Sequence, residues 1–118
     1  MAVEERDDVT VISLFGQHDA GTAERITTAI TRAARDGSGV VLSLAGVTFM
    51  DSSVIHALVV ADKRLIENGR RLVLHVEPGS AADRVLGLCR LNELLFFSDG
   101  LRQAIACAQQ PGVTTPAA

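Results

Sequence analysis

Runs of β-branched and aliphatic residues alternate along this chain with segments whose apolar residues recur at helical spacing, and few folds accept that pattern. The first run, VTVISLFG (Val9–Gly16), is apolar in both of its alternate sets, so it reads as a strand covered at least partly on both faces. After the turn QHDAGT, the segment AERITTAITRAARDG puts Ala23, Ile26, Ile30 and Ala33 on one stripe. Thr22 is its expected N-cap and Gly37 its expected stop. GVVLSLAGV (Gly39–Val47) has the length and composition of a buried central strand.

The second helical segment, SVIHALVVADKRLIENG, ends at Gly69. It aligns Val54, Leu58, Ala61 and Leu65, with Ile55, Val59 and Ile66 beside them. RRLVLHVE alternates like a strand, and a Pro-Gly turn follows. SAADRVLGLCRLNE is expected to be helical in its first half with Val85, Leu88 and Leu91 inward. LLFFSD reads as a short last strand and DGLRQAIACAQQ as a last helix. The remainder, residues 111–118, has neither charge nor pattern and is expected to be a disordered tail behind one domain spanning 1–110. Strands alternating with helices imply βα units, at least partly parallel pairing and right-handed crossovers. The expected fold is therefore α/β: a mixed sheet of four to five strands with about four helices.

A chain of 118 residues can bury one ordinary core. It has no Trp, no Tyr and four Phe, so that core is aliphatic and no aromatic platform for single-stranded nucleic acid exists. The net charge is −3 and no Lys/Arg cluster marks a phosphate-backbone footprint, which argues against a nucleic-acid partner. The acidic opening MAVEERDDVT lacks the features of a signal peptide, and no apolar run approaches the roughly 18 residues that span a bilayer. The chain reads as cytoplasmic, without membrane insertion. Cys89 and Cys107 show no CxxC spacing, and His18, His56 and His75 are scattered. Two buried thiols and neither metal nor cofactor are expected.

One junction stands apart. In FMDSS (Phe49–Ser53), three small polar residues follow a strand and open an apolar helix, the place where α/β folds put functional groups. Any one of Asp51, Ser52 or Ser53 can cap the helix, but capping needs only one, so at least one hydroxyl is spare. A phosphoserine there would add about −1.5 to −2 charges beside Asp51, near the N–H groups and positive dipole end of the helix. A hydrolase built from Ser52 or Ser53, His56 and Asp51 lists the triad residue types. Six consecutive residues leave little freedom to aim them at one another, and no G-x-S-x-G elbow occurs.

FMDSS in this context resembles the sulfate-transporter and anti-sigma-factor-antagonist (STAS) domain family. ISLFGQHDAGTAERI is similar to that family's first block and NGRRLVLHVEPGSAADRVLGLCRLNELLFFSD to its later part, so the likeness covers nearly the whole chain. The resemblance implies a non-enzymatic antagonist, monomeric alone, that binds an anti-sigma factor which is also a serine kinase. Phosphorylation by that kinase releases the antagonist and a phosphatase resets it, so that sigma-factor-dependent transcription, as in stress responses, is regulated. By position the phosphate acceptor is Ser52, with Ser53 second. The partner-binding set is Asp19, Asp51, Ser53, Val54, Ile55 and His56. Where family antagonists commonly continue with Gly-Leu-Gly, this chain has Val54, Ile55 and His56, a stiffer and bulkier first turn.

From Val54 to Ala61 the helix carries no Asp, Glu, Lys or Arg, and a surface that apolar is either buried or partnered. Val54, Ile55 and Val59 are the expected docking residues. Two other readings stay open: the small STAS accessory subunit of a lipid-transport ABC system, and a scaffold component of a stress-signalling complex.

Overall fold

In a computed structural model, residues 1–36, 39–88 and 95–109 are described. The elements run β1 (Ala2–Arg6), β2 (Val9–His18), α1 (Ala20–Arg35), β3 (Gly39–Met50), α2 (Ser52–Glu67), β4 (Leu72–His75), α3 (Ala81–Leu88), β5 (Phe96–Ser98) and α4 (Leu101–Ala108). The five strands lie in sequence order in one mixed sheet: β1 is antiparallel to β2, and β2, β3, β4 and β5 are mutually parallel. This is the expected α/β class.

The period-2 alternation of side chains divides the strands between two helical layers. Ile12 and Leu14 of β2, Val40, Leu42 and Leu44 of β3, and Leu72 and Leu74 of β4 pack with Ile26 and Ile30 of α1, Leu58 and Leu65 of α2, and Leu86 of α3. Val9, Val11, Val41 and Val73 point the other way, onto Ala104, Ile105 and Ala108 of α4. That is why β2, β3 and β4 are apolar in both registers. At Gly39 a Cβ would fall into the Ala108 carbonyl, so only glycine lets the end of α4 lie flat on the start of β3.

Several expectations need correction. The acidic N-terminus forms β1, turned into β2 by Asp7 and Asp8, whose φ values of 52° and 67° are the left-handed pair of a two-residue hairpin. The N-cap of α1 is Asp19, not Thr22. Asp19 Oδ1 accepts from Gly21 N–H at 2.9 Å, while the Thr22 hydroxyl, three residues on, accepts from Asp19 N–H at 3.2 Å. Asp36 caps the other end, and the expected stop at Gly37 lies outside the described residues. In α3 Val85 is half-buried against the core, as expected, and Ala82 and Leu86 are buried; Leu88 is 86% exposed, because the helical period that buries those residues turns it to solvent. Cys107 is half-buried on α4 rather than fully buried; Cys89, Leu91 and the tail from 111 lie outside the described residues. The strand expected in RRLVLHVE is β4, and it is buried on both faces.

One polar group sits deep in this apolar frame. Asp62 of α2 accepts from Arg71 Nε at 3.2 Å and Nη2 at 3.1 Å, and from Leu72 N–H at 2.9 Å. Both partners are buried, so the pair fastens α2 to the start of β4 inside the protein.

Candidate functional site

The parallel strands β2 and β3 end side by side. His18 and Met50 are register partners, and Asp51 N–H donates to the His18 carbonyl at 3.2 Å. Asp19 and Asp51 follow directly on that pair, so the acidic N-caps of α1 and α2 emerge as neighbours at one edge of the sheet. At Asp51 one carboxylate oxygen, Oδ1, accepts from Ser53 N–H at 2.9 Å and Val54 N–H at 3.2 Å. Capping is therefore done by the aspartate. Neither serine side chain hydrogen-bonds to another described residue, and Ser52, at the first helical position, is exposed while Ser53 is half-buried. Replacing Asp51 with Ala removes both acceptor contacts and is expected to cost about 1 kcal/mol of stability, read as a shifted urea midpoint at constant m-value.

Of the other sequence-identified residues, Asp19 and His56 are exposed and Ile55 is half-buried beside Val59. Val54 is a correction. It is 0% exposed and packs in the core, because residues 54, 58, 61 and 65 form the inward stripe of α2. It cannot touch a docking partner. The remaining five lie at the N-cap of α1 (Asp19) and at the N-cap and first turns of α2, which follow the carboxyl ends of β2 and β3.

The structure adds two residues that pattern reading missed. Phe15 and Phe49, on β2 and β3, are 59% and 52% exposed. Phe15 is turned outward where the β2–β3 register slips between Ser13 and Phe15 and again after Gly16, whose φ is +77°. Its ring occupies space that Gly46 leaves empty: a Cβ there would come within 2.6 Å of Phe15 Cδ1. The available signal was an apolar run continuing past Val47 to an aromatic beside the acidic junction.

The charge around Ser52 has one sign. Each parallel strand runs into an acidic residue just beyond its end: Asp19, Asp51, Glu77 and Asp99. No Lys or Arg occurs between residues 7 and 24 or between 39 and 62. A phosphate on Ser52 would thus find no Lys or Arg on β3 or on the first two turns of α2; Lys63 and Arg64 stand about three turns away, toward the far end of that helix. Clefts of about 660, 600 and 610 Å³ lie elsewhere, against α1 and β1, between β5 and α4, and between the C-terminal halves of α1 and α2; the Ser52 junction lines none of them. Across the sheet, on the α4 face, Ser43 Oγ and His75 Nδ1 lie 2.8 Å apart, but both are buried.

The model of the STAS domain matches residues 1–104. The chain belongs to the STAS domain family. Among solved structures, this STAS domain is similar to an anti-sigma factor antagonist from Mycobacterium paratuberculosis, with a TM-score of 0.79 at 24% identity over 92% of each chain. A putative anti-sigma factor antagonist from Thermotoga maritima gives 0.78 at 21% identity, covering 92% of this chain and 94% of that one. The Bacillus cell fate determinant SpoIIAA in its phosphorylated form gives 0.66 at 23% identity, covering 89% and 96%. At these identities the likeness establishes the fold. Among the described residues, no helix is long and apolar enough to cross a membrane.

Proposed function

We propose that this STAS domain is an anti-sigma factor antagonist, a binding module whose hold on an anti-sigma kinase is switched by phosphorylation of Ser52. The observation that carries the reading is the exposed, uncommitted Ser52 hydroxyl beside an aspartate already engaged as the cap. In the transfer, Ser52 Oγ bonds to the γ-phosphorus of ATP, the bond to the bridging oxygen breaks, ADP leaves and the hydroxyl proton passes to a base on the kinase. A phosphatase returns the serine by delivering water to phosphorus.

Physically, the switch acts at the surface. The unmodified junction offers the exposed Phe49 just before Asp51 and the half-buried Ile55 just after it as apolar contacts, beside the carboxylates of Asp19 and Asp51, which suits a partner with an apolar patch and a cationic rim. A dianionic group at Ser52 would have to be stripped of water to enter that interface. The fold itself need not change, since Ser52 points away from the core. That SpoIIAA, a relative in fold, has a phosphorylated form is consistent with this reading.

The test is incubation with each anti-sigma kinase encoded in the same genome plus ATP, followed by mass spectrometry of the peptide spanning Ser52 and Ser53. One phosphate at Ser52 is expected, absent in Ser52→Ala, which should still bind the kinase. Phosphate on Ser53 alone would transfer the switch to that residue. Neither binding nor modification across all kinases would overturn the reading.

A further inference from the structure

We infer that His18 is the positioning residue of this docking face, an inference that rests on reading the surroundings of Ser52 as that face. His18 is 7% exposed, and its ring and main chain touch three separate segments. Nε2 lies 2.9 Å from the Phe15 carbonyl oxygen. A carbonyl only accepts, so Nε2 carries hydrogen and donates. On the other side of the ring Nδ1 lies 3.2 Å from Thr22 Oγ1, the hydroxyl that donates to the Asp19 carbonyl at 3.1 Å. The His18 carbonyl accepts from Asp51 N–H. One residue therefore links the bulge that presents Phe15, the first turn of α1 behind Asp19, and the junction that presents Ser52.

The end of β2 needs such a link. Its register with β3 slips twice within four residues and Gly16 sits in the left-handed region, so regular ladder pairing does not by itself hold Phe15 against the strand end. The imidazole supplies two hydrogen-bonding nitrogens at a fixed angle on a rigid plane, one for each side. Leucine would fill the volume and make neither bond. Glutamine reaches the Phe15 side and asparagine the Thr22 side.

The consequence is preorganisation: without the ring, a partner must order these segments as it binds. In His18→Leu, amide hydrogen exchange at Gly16, Thr22, Ala23 and Asp51 is expected to quicken about tenfold while Leu42 and Val73 keep wild-type protection. The KM for this protein as substrate of its kinase is expected to rise about tenfold with kcat unchanged, since loosening affects docking and not the hydroxyl. His18→Gln should restore protection at Gly16 but not at Thr22, and His18→Asn the reverse; both remain informative if the leucine variant does not fold. Wild-type exchange in every variant would overturn the inference, as would an unchanged KM in His18→Leu. If no kinase engages even the wild type, the docking reading fails by itself and the exchange data alone decide the role of His18.

Discussion

Asp62→Ala is expected to destabilise the fold by about 3–5 kcal/mol, a large share of the roughly 5–15 kcal/mol that holds a domain together. The carboxylate takes two guanidinium N–H groups and the first β4 amide, Leu72 N–H, in a place from which water is excluded. Deleting it removes a charged acceptor from two N–H groups of the buried Arg71 guanidinium and leaves the Leu72 strand amide without its acceptor. Breaking one partner of a buried pair costs far more than the pair contributes, because desolvation of the remaining charge is less well offset. For the same reason, Asp62→Ala combined with Arg71→Met should recover much of the loss. Urea unfolding of both variants measures this; a drop below about 1 kcal/mol in the single variant would mean that water reaches the site.

That ion pair was invisible in the amino-acid order, and the reason is physical. Asp62 stands where a helical stripe bends toward the charged stretch Asp62–Arg64, and on periodicity alone it reads as the first solvated residue after Ala61. Its burial depends on Arg71 arriving from the next strand, a tertiary fact. The strand–helix alternation was legible because each inward stripe (Ile26 and Ile30; Leu58 and Leu65) is a local property of its own element. β1 was not, since Glu4, Glu5 and Arg6 suppress the alternating signal and an edge strand exposed along its whole length needs no apolar face. At the site, the spare hydroxyl followed from counting three polar residues against one cap. Phe15 and Phe49 escaped because their exposure depends on which parts of the strands the helices leave uncovered, again a tertiary fact.

The neighbouring positions Val54 and Ile55 separate the two duties of α2 most sharply. Val54→Asp places a carboxylate at a point that is 0% exposed, among aliphatic side chains with no cation on the same inward stripe. Loss of more than about 4 kcal/mol, or failure to fold, is expected. Ile55→Asp lies one residue on, rotated to the half-buried flank beside the exposed His56. There the new charge reaches water in the free protein, so the melting temperature should fall by only a few degrees, matching about 1 kcal/mol or less. In the complex it would be stripped of water at the centre of the proposed apolar contact. Affinity for the kinase is then expected to drop about a hundredfold, or 2–3 kcal/mol. Calorimetric titration of Ile55→Asp alongside its thermal melt distinguishes the outcomes. Wild-type affinity would remove Ile55 from the docking face, whereas a collapse in melting temperature would place it in the core with Val54.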